Sequence, residues 1–278
     1  MKIFKSSPTN LLKSFIKEYN TAFYFASLGS RIAHHTSGRA EFRFNQITQS
    51  APIDPFRLIS IDPETVEYRL SPTFDSSYYL FARYSPVLPG DWDQTRRSSL
   101  SEYDLYKSIQ QHFRQDVPWR DTEFYARVAK EFETTESHFK WGSSSIEEFD
   151  ERCQRLDELY KQMCTTGYLT QESIRGRQID PIERDREHRS VWLLPPALHE
   201  VTIHIGRDGE LIFHEGRNRF SIAVAAEIPS IPVRVHNRHS KWQYRREQVA
   251  QSERLVNLDD ELQQFLDHPD MQDVRPDG

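Results

Sequence analysis

VTIHIGRDGELIFHEGRNRFSIAVAAEIPSIPVRV, residues 201–235, is the stretch in which every local signal agrees. Val201, Ile203 and Ile205 alternate with Thr202 and His204, the period-two pattern of a half-buried strand. Gly206-Arg207-Asp208-Gly209 supplies a tight turn, because Gly and Asp tolerate the positive φ that a hairpin needs. Residues 211–214 run back as a second strand, and Gly216 breaks the pattern. Ile222, Ala223 and Ala226 follow at helical spacing up to Pro229, and residues 232–236 read as a closing strand. The unit is therefore strand, turn, strand, glycine, helix, strand. Arg217 and Arg219 fall in the first helical turn, where backbone N–H groups lack partners and the helix dipole is positive. A glycine followed by two guanidinium groups at such an end suits a phosphate or another anion. On the bare pattern, two solvated surface arginines after a simple turn are about as good a reading.

The run Phe213-His214-Glu215-Gly216-Arg217-Asn218-Arg219, the Ala-rich helix after it and Ile231-Pro232-Val233-Arg234-Val235 resemble the ParB N-terminal/sulfiredoxin-like fold. The resemblance covers about a tenth to an eighth of the chain by motif. It implies an α+β fold, a small mixed sheet with packed helices, whose turn binds nucleotide phosphates. In that family the turn serves CTP binding and hydrolysis, ATP- or ADP-dependent chemistry, or nuclease activity. Carried over residue by residue, it implies Gly216, Arg217, Arg219 and Arg234 as phosphate-binding residues, with Glu215, Asn218 and Arg219 as candidate catalytic groups. The implied cofactor is a nucleoside triphosphate or diphosphate with Mg2+. Glu215 stands where Asp is commoner, and Asn218 stands where His or Arg is usual. Sulfiredoxin's reactive cysteine would fall at Arg217, so sulfiredoxin activity is not supported.

Around this unit, 278 residues suffice for one large domain or two. The net charge of −6 argues against a protein that coats nucleic acid. Cys153 and Cys164, the two cysteines, lie eleven residues apart in one expected helix. At helical rise they are roughly 16 Å apart, too far for a disulfide. A reducing cytoplasm is the simplest compartment, and no metal site is expected from these residues. The apolar run at residues 21–28 is too short to span a membrane.

Residues 1–50 read as an N-terminal helical extension, with a helix at 9–19 and a polar stretch at 34–49 that is a loop around His34 and His35. Residues 51–245 read as the main domain, opening on a strand in the run Ile53 to Pro63, with a second strand at 78–84. A helical insertion is expected at about 85–140, carrying helices from Ser99 or Ser101 to His112 and from Pro118 onward. Asp91 and Asp93 could hold a cation and Trp92 a base, although packing is the commoner role for such a tryptophan. Ser144 and Glu147 read as a capping box for a helix ending at Gly167. Residues 170–196 mix charges as a solvated loop does. Residues 246–278 are expected to form a C-terminal helix at 253–266 and a disordered tail from 267.

Three functions follow. The first is a nucleotide-binding domain that hydrolyses or transfers phosphate. The second is a nuclease or DNA-binding protein that adds Arg238, Lys241 and Arg245 as nucleic-acid contacts. The third is a non-catalytic scaffold that binds a protein partner. The sequence leaves open whether any site turns over its ligand, because no second carboxylate stands at a telling spacing.

Overall fold

The 201–235 unit has the expected order of elements, but the first strand, expected to be half-buried, is buried at all five positions, Thr202 and His204 included. In this computed structural model, which describes residues 36, 38–40, 42–70, 87–134, 141–176 and 196–276, β5 (Val201–Ile205) and β6 (Leu211–Glu215) form an antiparallel hairpin. A helix, α6 (Arg217–Ala225), leads to β7 (Ile231–His239), which lies parallel to β5. Val201, Ile203 and Ile205 join Val233 and Val235 in the main core, as the alternation requires. The other strands are β1 (Leu58–Ile61), β2 (Tyr68–Leu70), β3 (Val87–Leu88) and β4 (Arg97–Ser99). The sheet runs β1-β7-β5-β6-β2-β4, with β3 beside the far end of β7. Parallel and antiparallel pairs coexist, and the fold is α+β with a mixed sheet.

The earlier helices are α1 (Trp92–Thr95), α2 (Asp104–Gln115), α3 (Glu123–Thr134), α4 (Ile146–Thr166) and α5 (Gln171–Gly176). Two more follow the sheet, α7 (Ser240–Gln251) and α8 (Asp260–Gln263). Helix α6 is the hub: Phe220 to Ala225 are all buried, and α2 and α4 pack against it. Two side chains of α2 serve its carbonyl groups. Gln110 donates to Ser221 O at 2.9 Å, and Arg114 donates to Val224 O and Ala225 O. Helix α4 starts one residue later than its sequence signal. Ser145, not Ser144, accepts from the Glu148 backbone N, and the Glu148 carboxylate reaches back to Ser144 N at 2.7 Å. Gly167, at φ 81°, ends it.

Five expectations are corrected. The 85–140 segment is not purely helical, because β3 and β4 belong to the sheet. Its Trp92 is buried, and Asp93 is buried and held by Arg207, with Arg207 Nη2 at 2.7 Å and Arg207 N at 2.8 Å. The pair ties this segment to the β5–β6 turn rather than offering a cation site. The tail after residue 267 is ordered through 276: Asp270 and Met271 are fully buried and Val274 nearly so. The expected 253–266 helix is reduced to the short α8 and a 3-10 turn at Leu255–Asn257. Residues 42–48, expected within a polar stretch, are helical. The expected elements at 9–19 and 78–84, His34, His35 and most of the mixed-charge segment lie outside the described residues. No helix among the described residues is long and apolar enough to cross a membrane.

Candidate functional site

A cleft of about 470 Å³ opens where β6 ends and α6 begins. Residues 213–219 line it together with Arg69 and Tyr103. Strand β2 is parallel to β6, with Arg69 beside Phe213, so two parallel strands end at this opening. Crevices at the carboxyl ends of parallel strands are favoured ligand sites, because loops and helix starts converge there.

Gly216 turns the chain at φ 91° and ψ 30°, in the left-handed region. A Cβ there would lie 3.0 Å from Val201 Cα and 3.0 Å from Val201 Cγ2. Its glycine identity is thus required by the turn and by the close approach of β5. As the N-cap of α6, Gly216 offers no side-chain acceptor. The first N–H groups of the helix are therefore not capped by its side chain.

The three arginines that line the cleft differ in their commitments. Arg219 forms an ion pair with the buried Glu200 at 3.0 Å. It also donates to Leu169 O at 2.7 Å and His199 O at 3.3 Å, and its guanidinium sits 4.5 Å from the Tyr168 ring centre. Glu200 also accepts from Gln171 N and from the Tyr168 hydroxyl. Arg217 instead stacks on Trp141 at 4.1 Å, and Arg69 stacks on Tyr103 at 3.9 Å. Glu215 is exposed at the rim and is the one carboxylate in the lining among the described residues. That lining is compatible with a magnesium nucleotide, since Mg2+ is usually held by one or two carboxylates plus substrate phosphates.

Arg234 does not join this group. It is buried on the other sheet face, opposite Thr202, and does not line the cleft. It lies among three histidines. His214 stacks face to face with His236 at 4.3 Å, and His204 meets them edge-on at 4.5 and 5.5 Å. The registers explain the gathering. His214 is the extra residue of an irregularity between β5 and β6, and His236 of one between β5 and β7. Burial, with Arg234 adding to it, lowers His214 to about 4. Burial, followed by His214 and Arg234, takes His236 to about 2 and puts His204 well below the usual histidine range. All three are neutral at neutral pH. No group of three or more His, Cys, Asp or Glu among the described residues is arranged to hold a metal ion.

The basic segment after the motif is also different from its sequence reading. Arg238 is buried and forms a bidentate pair with Asp270, at 2.8 and 2.6 Å. Arg246 is fully buried between Asp270 and Asp273. Arg245 is held by Arg207 O, by Asp208 at 3.1 Å and by Glu261 at 3.3 Å. Of the three expected nucleic-acid contacts only Lys241 is on the open surface. The acid that neutralises Arg238 lies in the tail, and those that hold Arg245 lie in the β5–β6 turn and in α8, beyond the reach of a local reading.

Compared with models of known protein families, with curated proteins and with solved structures, the chain matches none. Sequence reasoning missed Arg69 and Tyr103, which stand more than a hundred residues before the motif. Their alternation within a short strand and at a helix start carries no ligand signal. It missed Glu200 too, which sits immediately before β5 and looks like a solvated acid.

Proposed function

We propose that the cleft binds the phosphate groups of a nucleotide, with Gly216, Arg217 and the start of α6 as the anion-holding end. This is the reading implied by the ParB/sulfiredoxin-like resemblance. The observation that supports it is the clustering of residues 213–219 around one open cleft at a helix N-terminus that has no side-chain cap. The dipole contributes about 0.3–1 kcal/mol. A charge-assisted hydrogen bond from a guanidinium adds about 1.5–3 kcal/mol.

Within this reading Arg219 is a support. Its charge is already balanced by Glu200, so it shapes the cleft through Leu169 and His199. Among the described residues Arg217 has no carboxylate partner, and it can turn its N–H edge to a ligand. Glu215 would repel a bare phosphate. It becomes favourable when it holds Mg2+ against the phosphates or carries a proton, and it is the lining residue best suited to hold or move one. Binding comes first in this account and turnover second. A cytoplasmic location, expected from two unpaired cysteines, belongs to the same reading.

Thermal shift with ADP, ATP and CTP, each with and without Mg2+, tests it. A saturable rise in melting temperature is expected, with affinity roughly ten- to hundredfold weaker in Arg217→Ala. A response to short duplex DNA that collapses between low and high salt, with no nucleotide response, would move the function to nucleic acid. Silence to both would leave a protein scaffold.

A further inference from the structure

Among the three cleft arginines, the two outside the Glu200 network share a feature. Arg69 lies over Tyr103 and Arg217 lies over Trp141, at 3.9 and 4.1 Å, and neither makes an ion pair or hydrogen bond among the described residues. Stacking fixes the plane of a guanidinium through its face and leaves its five N–H donors on the edge. A salt-bridged arginine such as Arg219 has spent those donors. The two stacked arginines also come from different elements, Arg69 from β2 and Arg217 from the first turn of α6, and both line one cleft. Trp141 itself has a second guanidinium over it, that of Arg127 at 4.9 Å, so its ring is clamped as well.

We propose that Arg69 and Arg217, each cradled on an aromatic ring, form a two-guanidinium grip for adjacent phosphate groups, with Tyr103 and Trp141 as positioning residues. The inference rests on the phosphate-binding reading above and extends it to residues outside the motif. Two planar forks facing one cleft recognise two neighbouring phosphates better than one, because each fork pairs bidentately with one phosphate. With Glu215 as the only carboxylate of the lining among the described residues, two uncommitted cations face one anion there, which leaves a net attraction for a polyanion. The ligand class is thus a diphosphate or longer chain, and a lone phosphate engages half of the grip.

Calorimetric titration of the full chain with pyrophosphate and with orthophosphate reads this directly. Pyrophosphate is expected to bind at least about tenfold more tightly. Arg69→Lys and Arg217→Lys, which keep the charge and lose the planar fork, are expected to bring that ratio towards one while melting as the wild type does. A second measurement needs no variant. Phenylglyoxal labelling read by mass spectrometry should find Arg69 and Arg217 protected by pyrophosphate and the remote, exposed Arg120 unprotected. Equal binding of the two anions overturns the grip, as does wild-type selectivity in both variants or labelling of Arg69 and Arg217 that ignores pyrophosphate. In those cases the phosphate reading itself stands. If the wild type binds neither anion, the reading and the grip fall together.

Discussion

At Gly216 a methyl group would have to share space with Val201 while the backbone stays at φ 91°. Gly216→Ala is therefore expected to lower unfolding free energy by about 1–3 kcal/mol, through strain and through displacement of β5. Urea denaturation checks it, and unchanged stability would mean the turn relaxes freely. Arg219 gives the second residue-scale expectation. Arg219→Ala leaves the buried Glu200 without its cation, a loss of about 3 kcal/mol for a broken buried pair. Adding Glu200→Gln to that variant should restore part of the loss, because the uncompensated charge is then gone. Equal losses in the single and double variants would contradict the structural role given to Arg219. The motif marks Gly216 and Arg219 for a ligand, and each also has an internal partner that a linear reading cannot see.

Among the elements, the β5–β6–α6–β7 unit was legible because its signals are local. Period-two alternation, a Gly-Asp turn and helical spacing all act within a few residues. Helix α4 was legible for the same reason, with its cap displaced by one residue to Ser145. The tail was not legible. Its polar, proline-containing sequence reads as disorder, yet Asp270 accepts from Arg238 and Trp242 and sits beside Arg246, all on β7 and α7. Those partners come together only after the sheet has formed. Asp270→Asn is expected to cost about 3–5 kcal/mol, because Arg238 and Arg246 would be left buried without their shared anion. A melting curve that matches the wild type would return the tail to the surface.

For the molecule as a whole, acid acts through two sets of buried groups. Burial alone would raise the Asp270 carboxyl, but Arg238 and Arg246 outweigh it and hold it far below the ordinary carboxylate range. Its contribution is complete above the unfolded value of about 4 and is lost as pH falls below that. The histidines act earlier. With His214 lowered to about 4 and His236 to about 2, the unfolded chain takes up protons below about pH 6.5 that the folded chain refuses. Stability should fall from pH 6.5 to pH 4 by up to about 1.4 kcal/mol per pH unit for each such histidine. His214→Asn, which does not titrate, should lessen that slope by one histidine's share in urea denaturation at stepped pH. An unchanged slope would show that His214 titrates normally. The same histidine lines the cleft, so its neutrality keeps the positive charge there on the arginines.

The central claim is that the turn at residues 216–219 meets a phosphate-bearing ligand. Amide proton–nitrogen spectra of the labelled full chain, titrated with ADP and Mg2+, address it most directly. The account predicts saturable shifts of the Gly216, Arg217, Asn218 and Arg219 amides, with smaller shifts at Arg69 and Tyr103. Shifts confined to Lys241 and its neighbours on α7, or no shift at saturating nucleotide, would contradict it.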